Sequence, residues 1–196
     1  TVADDGGSSG ELRRDTGILP PGDIRNCLAA LSNDEALLSQ VFQYRFKSGI
    51  GLEGHSLGNL FISALSEITG SFEEAVAESG RVLAIYGNVL PATLESVHLI
   101  GDVRNKETGE VTNVHGESEI SNARGQISRV WLEPASAQAY PPTVSAILNA
   151  DLIILGPGSL YTSLLPSMLV SGLKEAIEAS RAEKYYICNV ATERGE

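Results

Sequence analysis

The sequence predicts an α/β protein: an open, mostly parallel sheet with helices on both faces and a β-rich insert. Three observations carry this expectation. The stretch "DLIILG" is a continuous apolar run, as a parallel strand shows when both its faces are covered. It enters a Gly-rich turn, a helical stretch and a second apolar run, "KYYICNV", which is the order of a β-α-β crossover. Between residues 23 and 83 apolar side chains recur every three or four positions, the period of amphipathic helices, whereas from 96 to 133 the period falls to two.

Taken in order, residues 1–26 are dominated by Gly, Ser, Pro and Asp and read as loop. A helix is expected to start near Asp23, after "PPG". Asn33 or Asp34 would cap a second, with Leu37, Leu38, Val41, Phe42 and Arg45 on one face. The clearest helix is "GHSLGNLFISALSEITG", where Leu57, Leu60, Phe61, Ala64, Leu65 and Ile68 form an apolar stripe and Gly70 supplies the stop. Ser71 and Glu74 stand at capping-box spacing for the next, with Phe72, Ala75, Val76, Val82 and Leu83 facing inward. Alternation in "SVHLIGDV" and "VTNVHGESEI" around "NKETGE" predicts a β-hairpin with Gly109 in its turn. "ISRVWLEP" is a further strand, and "PPTVSAILNA" a helix with Pro at its start.

With 196 residues, 42% apolar and 20% charged, the chain reads as one soluble domain over 1–196 with a β-hairpin insert at about 86–133. A net charge of −11 excludes nucleic-acid binding by bulk electrostatics, but leaves phosphate binding by backbone N–H groups open. No apolar run is long enough for a membrane span. Cys27 and Cys188 have no metal-ligand spacing and read as reduced, buried thiols of a cytoplasmic protein. The start without Met and the abrupt end read as a fragment.

Ligands of open α/β sheets bind beyond the carboxyl ends of strands. In "ILGPGSLYTS", Gly156 and Gly158 permit a tight turn and Ser159 and Thr162 offer hydroxyls near a helix start, a place for phosphate or carboxylate. In "ADDGGSSG", Asp4 and Asp5 beside small residues could hold Mg²⁺ with ligand phosphates, bind sugar hydroxyls, or form a solvated acidic turn. His55, with Ser56 and Asn59 following, is the one histidine outside the β-rich insert that holds His98 and His115. Asp23 and Asn26 lie at a helix start where either could cap or touch ligand. Arg13, Arg14 and Arg25 stand near the glycine loop as phosphate clamps or solvated charges.

In combination, "TVADDGGSSGELRRDTGILPPGDIRNCLAAL", "FQYRF", "GHSLGNLFISALSEITG", "VLPAT", "LGPGSLYTSLLP" and "YYICNVATERGE" closely resemble the YvcK-like gluconeogenesis-factor family (UPF0052), relatives of 2-phospho-L-lactate transferase (CofD). The resemblance spans essentially the whole chain. It implies a Rossmann-like domain, lacking its opening strand here, that binds a UDP-sugar such as UDP-N-acetylglucosamine. It also implies a regulatory role in central carbon metabolism, peptidoglycan precursor supply and cell shape, with no required cofactor. The family's ligand loops match Asp4, Asp5, Gly6, Gly7, Ser8, Asp23, Asn26, His55, Asn59, Gly156, Gly158, Ser159, Tyr161, Asn189 and Thr192. A regulatory protein partner and self-association are expected from the same likeness. The transferase relatives imply an alternative: Mg²⁺ at Asp4 and Asp5, a guanosine diphosphate adduct and a deazaflavin acceptor.

Overall fold

The computed structural model describes residues 3–32 and 36–192. Its contacts divide the chain into two compact units, residues 2–94 and 95–196.

The first unit is helical. Its first helix, α1 (Gly7–Thr16), lies within the stretch expected to be loop. Gly6 is extended at its N-cap and Gly17 turns left-handed at its end, so two glycines punctuate a segment of low intrinsic helicity. What stabilises α1 is packing, because Ser8, Ser9, Gly10 and Leu12 are buried. Helix α2 (Gly22–Leu31) begins where the Pro-Pro-Gly turn predicts, and buries Ile24 and Leu28. Helix α3 (Ala36–Gln43) stops short of Arg45, which instead pairs with Ser56 in an isolated antiparallel bridge. The expected caps Asn33 and Asp34 lie outside the described residues.

Helix α4 (Leu57–Thr69) has its predicted bounds: the Ser56 side chain accepts from the Asn59 N–H, and Gly70 is left-handed. Its inward face matches the predicted stripe only in part: Phe61 and Leu65 pack against the core. Gly58, Asn59, Ile62 and Ser63 are buried, whereas Ile68 is 78% exposed and Ala64 is exposed. Asn59 faces inward because Ser8 and Ser9 accept its hydrogen bonds there, and Gly58 approaches Phe42 so closely that a Cβ would lie 2.5 Å from its carbonyl oxygen. Helix α5 (Phe72–Val82) is capped by Ser71, which accepts from the Glu74 N–H at 3.1 Å. Ala75, Val76 and Leu83 join the core with Ile24, Leu28, Phe42 and Ile62, but Val82 is 51% exposed.

The second unit carries the strands. The predicted hairpin is present: β1 (His98–Arg104) pairs antiparallel with β2 (Val111–His115), with Gly109 at φ +73° in the turn. A short helix α6 (Glu117–Asn122), read from sequence as strand, follows the left-handed Gly116 and leads to β3 (Gln126–Glu133), which pairs antiparallel with the other edge of β1. Helix α7 (Pro141–Leu148) opens on proline as predicted.

Strand β4 (Leu152–Leu155) then enters the Gly-Pro-Gly turn and a broken helical stretch: a π-helical turn (Leu160–Leu164), α8 (Leu165–Met168) and α9 (Leu173–Ala179). It returns to β5 (Glu183–Tyr186), parallel to β4 with Ile153 opposite Lys184. The fold is thus mixed α/β, but among the described residues the expected mostly parallel sheet is this one pair, beside the antiparallel sheet β2-β1-β3. Neither strand of the pair is covered on both faces. Ile153 is buried, Leu152 and Ile154 are about half exposed, and all of β5 is exposed. Both cysteines are free, as expected, but exposed.

The reassigned face of α4 makes a direct test. Ile62→Ala is expected to cost about 2–5 kcal/mol of stability, and Ile68→Ala less than about 0.5 kcal/mol, in urea unfolding. Equal losses would return the core face to the predicted stripe.

Candidate functional site

In the first unit the structure brings the acidic loop, α2 and the α4 start together. Asp4 folds the loop by accepting the Gly6 N–H on Oδ1 at 2.9 Å, and Gly7 takes φ +43°. The N-terminal end of α1 has no side-chain cap and no acidic residue in its first turn. Gly7 at its start is exposed, and a helix start with small side chains is an arrangement suited to an anion.

Beneath this end runs a buried relay. Asn59 Nδ2 donates to Ser8 Oγ at 3.1 Å and to Ser9 Oγ at 3.3 Å. Ser8 Oγ lies 3.0 Å from His55 Nδ1, and His55 Nε2 lies 3.2 Å from Glu11 Oε2. Because Asn59 donates to Ser8, the Ser8 proton is free for Nδ1, and the neutral tautomer with hydrogen on Nε2 then points at Glu11. A serine, a histidine and a carboxylate in line resemble nucleophilic machinery. Ser8, however, is 4% exposed and its oxygen already accepts from Asn59. The relay therefore holds the loop in place and does not present a nucleophile.

Asp4 is the electrostatically stressed member. Burial raises its carboxyl pKa above the ordinary 3.8; hydrogen bonds from the Gly6 N–H and the Ser9 hydroxyl oppose this, and the charges of Asp23 and Asp5 add to it. Gly22 is required here, since any Cβ would strike Asp4 Oδ2 and Ser9 Oγ. Two buried polar atoms lack partners in this cluster, Asn59 Oδ1 and Arg25 Nε. Such orphans are uncommon and call for a ligand or water.

Asp4, Asp5, Gly6, Gly7, Ser8, His55 and Asn59 thus belong to one loop-and-helix constellation, with Asp23 and the exposed Asn26 at the start of α2. Ser9, Glu11 and Gly22 were missed as site residues. Glu11 sits one turn after Ser8 on α1, a spacing hidden when the stretch reads as loop, and the Gly22–Asp4 contact had no local signal.

The second unit holds the other predicted loop. Gly156 has φ +89°, and a Cβ there would also lie 2.5 Å from the Ile187 carbonyl oxygen, so only glycine fits. Asn189 Nδ2 donates to the Gly158 carbonyl at 3.2 Å, tying the last predicted loop to this turn. Ser159 starts the π-helical turn through its carbonyl, accepting from the Ser163 and Leu164 N–H groups. Beside it, Leu160, Tyr186, Cys188, Asn189 and Thr192 help line a cavity of about 270 Å³, while Tyr161 is half-buried next in sequence and Thr162 is buried.

The sequence profile of the 2-phospho-L-lactate transferase CofD family matches residues 1–196, and the chain belongs to that family. Its relatives there carry the name gluconeogenesis factor. The chain is 55% identical over 196 residues to one from Nostoc sp., of which it covers 42%. It is 52% identical over 196 residues to the Gluconeogenesis factor of Bacillus subtilis, covering 60% of that protein. A crystal structure of a UPF0052-family member from Bacillus halodurans superposes on the whole chain with a TM-score of 0.91 at 52% identity, and the chain covers 61% of it. The chain therefore spans between 42% and 61% of the length of these relatives. Among the described residues no helix is long and apolar enough to cross a membrane.

The Asp4 environment predicts a pH signature. The folded state holds the Asp4 proton more tightly than the unfolded chain, which titrates near 3.8, so stability falls as pH rises from there through the raised folded value. Asp4→Asn removes that titration while keeping an acceptor for the Gly6 N–H. In denaturant melts from acid to neutral pH, the stability of the variant relative to wild type is expected to grow through this window and then level off. A difference that shrinks with pH contradicts the burial of the carboxylate.

Proposed function

We propose that this protein binds a UDP-sugar, with UDP-N-acetylglucosamine as the leading candidate, and acts as a cytoplasmic regulator of central carbon metabolism and peptidoglycan precursor supply, with consequences for cell shape. The observation that carries this reading is the uncapped Gly-Ser end of α1, held in place by the Ser8–His55–Asn59 relay. Preorganised N–H groups beside aspartates suit a diphosphate and the hydroxyls of a sugar. Bacterial relatives named gluconeogenesis factor support the metabolic context.

One observation favours a second reading, in which Mg²⁺ and a guanosine diphosphate adduct serve a phospholactyl transfer to a deazaflavin. The charges of Asp23 and Asp5 disfavour ionised Asp4, and a divalent cation would relieve that repulsion. Among the described residues no group of three metal-ligating side chains converges, so the fit is to an ion shared between the Asp4 and Asp5 carboxylates and ligand phosphates.

Thermal shift on the complete protein separates the two readings, since a ligand of the folded state raises the melting temperature. UDP-N-acetylglucosamine is expected to stabilise without metal or turnover, and Asp5→Asn is expected to weaken its binding on the order of tenfold. Stabilisation only by guanosine diphosphate with Mg²⁺, accompanied by deazaflavin conversion, selects the transferase. Unchanged affinity in this variant rejects the site.

A further inference from the structure

Arg25 is a buried cation that the relay leaves unsatisfied. It lies in the first turn of α2, is 9% exposed, and its Nε is buried without a partner. Its hydrogen bond runs from Nη2 to Asn26 Oδ1 at 2.8 Å, so the guanidinium reaches the surface beside an exposed amide. Asp4 and Asp23 are near enough to attract it, yet Arg25 forms no ion pair with either. The α4 start constrains its stem, since a Cβ on Gly58 would lie 2.9 Å from Arg25 Cδ.

Arg45 is anchored to the same loop. Its Nη1 donates to the Gly54 carbonyl, its backbone pairs with Ser56, and the Leu57 N–H donates to the Tyr44 carbonyl at 2.8 Å. The Arg45 side chain is exposed. Burial first, and then the charge of Arg45, push the Arg25 pKa down, although a guanidinium stays protonated throughout the working range. Two like charges are gathered on residues 54–58, one of them desolvated and under-bonded, and an anion between them would satisfy both.

We propose that Arg25 and Arg45 form an anion clamp, a subsite for the phosphate oxygens of the ligand. Phosphate is favoured over carboxylate because two forked donors can each take oxygens from one tetrahedral group, and because a doubly charged anion answers two cations. The clamp rests on the nucleotide-binding reading for the identity of its ligand, but its chemistry can be tested apart from that reading.

The test is calorimetric titration of the complete protein with inorganic pyrophosphate and, separately, with UDP-N-acetylglucosamine. Arg45→Gln is expected to weaken pyrophosphate binding on the order of tenfold or more, because charge-assisted hydrogen bonds are lost. Lys47→Gln removes an equal charge two residues away and is expected to change binding by less than about twofold, the size of a screened surface effect. Arg25→Gln should match Arg45→Gln or exceed it; should it fail to fold, the exposed Arg45 still decides the matter. Absence of pyrophosphate binding by wild type, or equal losses in the Arg45 and Lys47 variants, overturns the clamp. If wild type binds UDP-N-acetylglucosamine and Arg45→Gln binds it equally well, the clamp falls and the sugar-nucleotide reading stands. If pyrophosphate binds through Arg45 while UDP-N-acetylglucosamine does not bind, the clamp stands and that reading falls.

Discussion

The buried hydrogen bonds from Asn59 to Ser8 and Ser9 are the constraint on which the candidate site of the first unit depends. They join residues about fifty positions apart in sequence, and they do so where Asn59 is 2% exposed. In such surroundings a hydrogen bond is electrostatically strong and an unmade one is costly, so the loop has little freedom to leave. The same demand explains α4. A helix that buried leucines along this face would exclude water well but would take from Ser8 and Ser9 the hydrogen bonds that Asn59 donates. Asn59 and Ser63 on the inner face, with Gly58 between the bulk of Phe42 and Arg25, exchange some apolar burial for a fixed loop geometry.

Charge follows the same logic. The chain carries a net −11, yet the site is organised around a carboxylate and a guanidinium whose charged forms are both disfavoured by burial. Asp4 and Arg25 attract each other without forming an ion pair, and each keeps hydrogen-bonding capacity that a direct bridge would consume. Groups held desolvated and incompletely bonded need little reorganisation when a ligand arrives, which is the physical content of preorganisation.

The second unit solves a different problem. Its antiparallel sheet is stabilised by side chains of β1 and β3 such as Leu99, Ile100, Val130 and Leu132, all buried. The parallel pair β4 and β5 is the more exposed element and carries the glycine turn. There the backbone of Ile187 approaches Gly156 closely, and Asn189 closes the loop onto Gly158. Backbone proximity, and not side-chain packing, sets this turn, which is why small residues crowd it.

Local signals were read well wherever a single residue governs a boundary. Ser71 with Glu74, Gly70, Gly109 and Pro141 each act through their own backbone geometry or a bond to the adjacent turn, so helix ends and the hairpin were legible. Misreadings arose where partners distant in sequence decide. Helix α1 is polar and glycine-rich and exists because its small face is buried; the α4 stripe holds at Phe61 and Leu65 but not at Ile68, and Asn59 is drawn inward by Ser8 and Ser9; the apolar run of β4 proved half exposed and β5 exposed. By itself the sequence determined the α/β class, the family and the identity of the loops that carry small and acidic residues. Only the tertiary structure decided which of those residues meet, that His55 and Ser8 serve position and not nucleophilic attack, and that Arg25 and Arg45 are gathered on one loop. Those outcomes depend on distances between chain segments, and no local period or composition encodes a distance.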